Sequence, residues 1–127
     1  MRYLMVMAAL GLAACVEEPV DGRTAFKNNC ASCHGADGTG NGPAASGLDV
    51  VPPDLTLIAA RNGGVFPITQ VMSTIDGLDR GAHFSTAMPE FGAGDLGETV
   101  IVENEGLGTP VPMQLLALTE YLQSIQR

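Results

Sequence analysis

The stretch that most constrains this 127-residue chain is Cys30-Ala31-Ser32-Cys33-His34. Two thiols three positions apart, followed at once by an imidazole, form the C-x-x-C-H pattern of covalent c-type haem attachment. Chemistry sets the spacing. Each thiol adds across one haem vinyl group to give a thioether, and two thioethers pin one edge of the macrocycle. His34 is then held against one face of the iron. Such a haem needs a second axial ligand, an apolar wrapping and a suitable compartment.

Other uses of the pair fit less well. A thioredoxin-like dithiol sits in a βαβ context, and no strand pattern precedes Cys30. A closed zinc site takes four ligands. Only Cys15 and His83 remain to complete one, and neither has a paired spacing.

Composition agrees with a cofactor-built interior. The chain holds 16 Gly and 8 Pro, but only four Phe, two Tyr and no Trp. A single domain of this size is marginal on its own hydrocarbon, and a haem is a large apolar plate. The formal net charge of −8 argues against a nucleic-acid partner and bears on docking.

The chain opens with Met1-Arg2-Tyr3, then runs apolar and small over residues 4–14. That run is too short for a permanent membrane span and reads as a secretory signal. Leu12-Ala13-Ala14-Cys15 resembles the bacterial lipoprotein box, in which cleavage falls just before the cysteine. By that resemblance residues 1–14 are a signal peptide, Cys15 carries the lipid anchor and residues 15–20 form a short acidic tether. More than one acyl chain gives stable anchoring. An ordinary signal peptide with an incidental Cys15 is the alternative. Val16, where an Asp would favour the inner membrane, leaves either membrane open. Cleavage would remove Arg2 and move the formal charge from −8 to −9. With Cys15 given to lipid and Cys30 and Cys33 to haem, no thiol is left for a disulfide.

Asp21 is a predicted N-cap for a helix reaching about residue 32. That helix would carry Phe26, Cys30 and Cys33 on one face. The glycine-rich segment 35–43 lacks the features of a phosphate loop. It reads as close backbone packing at the haem edge, or as a plain surface loop. After Val50-Val51-Pro52-Pro53, Asp54 can cap a helix from 55 to about 61, closed by Gly63-Gly64. Pro67 opens an amphipathic helix with Ile68, Val71, Met72 and Ile75 on one stripe, ended by Gly77. In it Met72 reads as packing. Thr99-Val100-Ile101-Val102 predicts a strand, residues 104–108 a turn, and Pro112 to about Ser124 a last helix carrying Leu115, Leu118, Leu122 and Ile125.

Between them lies an irregular segment containing His83 and Met88. Met88 precedes Pro89, so its backbone is pushed extended and its thioether is displayed from a loop. A soft sulfur on a loop that folds over the plate suits a low-spin His/Met iron. The rivals are Met113 and His83, the latter giving a bis-His iron, and the pattern also admits an open five-coordinate iron.

Taken together the chain resembles the class I, monohaem c-type cytochromes, made as a bacterial lipoprotein precursor. The resemblance is carried by Cys30 to His34, by the Met88-Pro89 step with Phe91, and by the pattern of the first and last helices. It implies a mostly α fold over residues 21–127, with about four short helices around one haem, long Gly/Pro loops and a small β-hairpin near residues 98–108. It implies one covalent haem c, with Cys30 and Cys33 in thioether linkage and His34 and Met88 on the iron. It further implies a carbonyl of Pro53, or Pro52, accepting from the His34 ring. Arg80 becomes a haem-propionate partner. Phe26 and Tyr121 would meet where the first and last helices cross.

No Ser/His/Asp set or carboxylate cluster points to an enzyme. The function expected is a single-electron carrier on the periplasmic side of a bacterial envelope, lipid-anchored and monomeric. Its partners would be redox proteins with basic docking surfaces. The alternatives are a haem c subunit relaying electrons within a larger oxidoreductase complex, or a haem sensor or peroxidase with an open iron site.

Overall fold

The structure is a computed structural model that describes residues 20–81, 86–104 and 106–127. Residues 1–14, read above as a signal, and Cys15 and His83 lie outside the described residues.

The first helix is shorter than its pattern predicts. Asp21 caps α1 (Gly22–Asn29), its carboxylate accepting from the backbone N–H of Arg23 and Thr24. The helix breaks at Cys30, where φ is −117°, and resumes as α2 (Ala31–His34). Asn is a weak helix former, and the Asn29 amide donates to the Ala25 carbonyl, competing with the main chain at the break. Phe26 is in the core and Cys30 packs partly buried against it.

The segment after Pro53 is likewise tighter than a single helix. Asp54 caps a 3₁₀ turn, Leu55–Leu57, which passes into α3 (Ile58–Arg61). In α4 (Ile68–Asp76), Val71 and Ile75 are buried and Met72 packs beside them, while Ile68 stays exposed at the N-terminal end. Gly77, at φ 103°, ends the helix in a left-handed conformation that a side chain would resist.

The hairpin is longer than its β-branched run suggests. Strand β1 (Thr99–Asn104) pairs antiparallel with β2 (Leu107–Pro112), Val100 opposite Val111. The Met113 N–H donates to the Glu98 carbonyl at 2.8 Å, closing the base. Pro112 then stands ahead of α5 (Met113–Ser124).

The core lies where α1, α4 and α5 meet. Phe26 and Leu118 are fully buried, with Leu115, Leu122, Val71, Ile75 and Val111 around them. Each such side chain contributes about 1.5–3 kcal/mol by leaving water. Buried Thr119 returns its hydroxyl to the Leu115 carbonyl at 2.9 Å, so it leaves no unpaired polar atom. Phe26 and Tyr121 meet with ring centroids 5.3 Å apart, tilted by 48°. Gly22 makes the approach of α1 to α5 possible, since a Cβ there would collide with the Ala117 carbonyl.

Among the described residues, five α-helices and a two-stranded sheet make the mostly α architecture expected. Among the described residues no helix is long and apolar enough to cross a membrane.

Candidate haem-binding site

The backbone of the thiol segment is taut. The Cys30 N–H donates to the Phe26 carbonyl at 2.8 Å, and the His34 N–H to the Cys30 carbonyl at 2.9 Å. Cys30 and Cys33 are both free thiols. Burial, reinforced by neighbouring Cys33, pushes the Cys30 thiol up to about 11. A thiol so protonated at neutral pH is the opposite of a reactive dithiol, whose pKa is depressed. Among the described residues there is also no group of three or more His, Cys, Asp or Glu able to hold a metal ion.

The glycine-rich segment folds back onto this motif. The N–H groups of Gly40, Gly42 and Ala44 donate to the carbonyls of His34, Cys33 and Ser32 at 2.7, 3.1 and 2.8 Å. Two glycines are required by closeness. A Cβ on Gly42 would run into the Ser32 carbonyl, and one on Gly40 into the Pro52 carbonyl. Of the two readings of this segment, the structure gives close backbone packing against the thiol motif.

Pro53 reaches the imidazole. Its carbonyl oxygen lies 3.4 Å from His34 Nδ1, longer than an optimal hydrogen bond. A carbonyl only accepts, so the contact puts the proton on Nδ1 and leaves the Nε2 lone pair for a ligand bond. Burial pushes the His34 pKa down, partly offset by the Pro53 carbonyl. The net lowering favours the neutral ring, which is the form that binds a metal.

The Pro53 turn is itself fastened, in a way no motif revealed. The Asp54 carboxylate accepts from the Thr56 N–H at 2.9 Å and from its hydroxyl at 2.6 Å. Arg61 donates to the Asp54 carbonyl at 2.7 Å. From the end of the chain, Arg127 bonds Thr56 Oγ1 at 2.7 Å and Asp54 Oδ2 at 3.0 Å. The Gln126 side-chain amide accepts from Ala59 N–H and donates to the Leu55 and Leu122 carbonyls. The turn beside His34 is thereby tied to α5.

Met88 lies half-buried against the same core cluster as Cys30, with Phe91 and Leu96. It also borders a cavity of about 550 Å³ whose wall includes Arg80, Thr86, Pro89, Glu90 and Ala93, but neither cysteine nor His34. Arg80 occupies an unforeseen place. Its guanidinium donates to the carbonyls of Thr74, Met88 and Pro89 at 3.2, 2.8 and 2.7 Å. Met113, the rival sulfur, is half-buried at the start of α5.

The residues fit a haem in donor chemistry. Two free thiols and an imidazole stand within five residues, Cys30 at the break before α2 and Cys33 and His34 on it. The middle of the chain adds little fully buried hydrocarbon, although Leu55, Ile58 and Phe66 pack partly buried against the core. Between Phe26 and Val71 the buried side chains are His34, Pro52 and Thr56, with several glycines and no Ala, Val, Ile, Leu, Met or Phe. Val50 and Val51 stand exposed just before the Pro53 turn. An apolar plate clipped to Cys30 and Cys33 would cover this half.

No curated protein and no solved structure matches the chain. A family model described as cytochrome c matches residues 19–126, most of the chain and all of the site. With the haem c that this family binds covalently, and the electron transfer that the haem supplies, the thiol motif has its explanation: the chain belongs to the cytochrome c family.

Proposed function

We propose that this cytochrome is a single-electron carrier with His/Met ligation. Cys30 and Cys33 hold the haem, His34 gives its Nε2 to the iron and Met88 its sulfur. The observation that carries the reading is the contact between His34 Nδ1 and the Pro53 carbonyl. It fixes the tautomer and strengthens the imidazole as a donor. Met88 would supply the second protein ligand, and an iron so held would exchange an electron with little rearrangement.

The carrier works on the periplasmic side of a bacterial envelope, tethered through lipid on Cys15. A net charge of −8 suits donors and acceptors with basic docking faces, and such association weakens with salt. Arg80, donating to three carbonyls, serves the Met88 segment beside the propionate role that the resemblance implies.

Carbon monoxide tests the closed iron. The reduced holoprotein is expected to keep its spectrum under carbon monoxide, and rapid binding would instead favour the sensor or peroxidase reading. Detergent extraction separates carrier from subunit: a free monomer that still exchanges electrons fits the carrier, and stable co-purification with a dehydrogenase fits the subunit. Mass spectrometry of the mature N-terminus tests the anchor, expecting an acylated Cys15 as the first residue.

A further inference from the structure

We infer that Arg80 is a positioning residue for the iron: its guanidinium locks the main chain of Met88 and Pro89 onto the C-terminal end of α4. The inference rests on Met88 being the sixth ligand.

The geometry is that of a three-way brace. Each of the three guanidinium nitrogens, Nε, Nη1 and Nη2, donates to one carbonyl. One of them, Thr74, lies in the last turn of α4, where carbonyls lack helical partners and a cation is favoured by the helix dipole. The other two belong to consecutive residues, Met88 and Pro89. Pro89 has no N–H, so this part of the chain cannot be held by donating there. A planar fork with donors in fixed directions is suited to three carbonyls at once, where an ammonium on a flexible stem is not.

Two close approaches seat the same segment. Gly77 faces Glu90, whose Cγ lies 2.9 Å from where a Cβ would stand. Gly92 presses on Asp76, whose main-chain oxygen lies 2.7 Å from its own Cβ position. The run from Met88 to Gly92 is therefore seated against the end of α4, with Arg80 as its polar clamp. A thioether is a weak iron ligand that external donors can displace. Holding its main chain removes freedom that would otherwise be lost on ligation.

The test is an imidazole titration of the oxidised holoprotein. Imidazole binds only where the methionine has left, so its apparent affinity reports the fraction of open iron. Arg80→Gln is expected to raise that affinity by roughly tenfold or more, the scale of one lost charge-assisted hydrogen bond. Arg80→Lys keeps the charge but not the fork and is expected to raise it in the same direction. It carries the test if Arg80→Gln does not accumulate as holoprotein. Val102→Ala, a hairpin change remote from the clamp in sequence, lowers stability and is expected to leave the affinity at the wild-type value. The inference is overturned if both Arg80 variants stay within about twofold of wild type, the usual scatter of independent sites. It is equally overturned if Val102→Ala, at matched stability loss, opens the iron as far as Arg80→Gln. Met88→Leu is the separate check: an unchanged oxidised spectrum there removes the ligand assignment itself.

Discussion

His34 Nδ1 and the Pro53 carbonyl oxygen stand 3.4 Å apart across nineteen residues of sequence. What sets that distance is the seating of the Pro52-Pro53 main chain, and Gly40 lies directly beneath it. Gly40→Ala is therefore expected to be more costly than its backbone alone requires. Gly64 has the same φ of 87° but nothing within 4 Å of its Cβ position. Gly64→Ala is expected to cost about 1 kcal/mol for the left-handed backbone, and Gly40→Ala about 1–3 kcal/mol beyond that. Displacing Pro53 also weakens the hydrogen bond to the imidazole, so the reduction potential should rise in Gly40→Ala and stay put in Gly64→Ala. Denaturant melts and a redox titration of the two variants decide the matter.

Acid should loosen the turn that carries Pro53. The Thr56 hydroxyl beside Asp54 holds its carboxyl below the ordinary range, against some desolvation, with the Thr56 N–H and Arg127 adding to the effect. The folded form therefore binds the proton less readily than the unfolded chain. Stability from this group is present above the unfolded pKa and is lost as pH falls through the lower, folded one. Asp54→Asn should be less stable than wild type at neutral pH. The gap should close once both folded and unfolded carboxyls are protonated. Melts from neutral pH downward check this, and a gap that widens on acidification contradicts it.

The junction of α1 and α5 is the interior that the polypeptide provides for itself. Phe26→Ala removes a fully buried ring and should cost about 3–5 kcal/mol. Tyr121→Leu keeps most of the burial and removes the ring contact, worth about 0.5–1.5 kcal/mol. Equal losses from the two changes would mean that the Phe26 site collapses around its cavity.

Much of this architecture could be read from local chemistry. Asp21 as a cap, Gly77 as a stop, the stripe of α4 and the β-branched run of β1 each act within a few residues, and each stands where its chemistry puts it. The break at Cys30 was not legible, because a C-x-x-C-H pattern has helical spacing whether or not the helix pauses within it. The span of β2 was hidden for a similar reason: Leu107-Gly108-Thr109-Pro110 has weak strand character and is ordered by its pairing with β1. At the site, Cys30, Cys33 and His34 are legible by type and spacing as a haem-attachment motif. The residues that hold them in place are not. Arg80 and Gln126 act by side-chain bonds to main-chain atoms elsewhere in the fold, and Arg127 by bonds to the Thr56 and Asp54 side chains; such bonds leave no periodicity.

Proton NMR of the reduced holoprotein tests the ligation most directly. A methionine bound to a low-spin iron places its methyl over the porphyrin, where the ring current moves the resonance far upfield. The account predicts one such methyl, lost in Met88→Leu and kept in Met72→Leu and Met113→Leu. A spectrum with no upfield methyl, or one that survives Met88→Leu and vanishes in Met113→Leu, would contradict it.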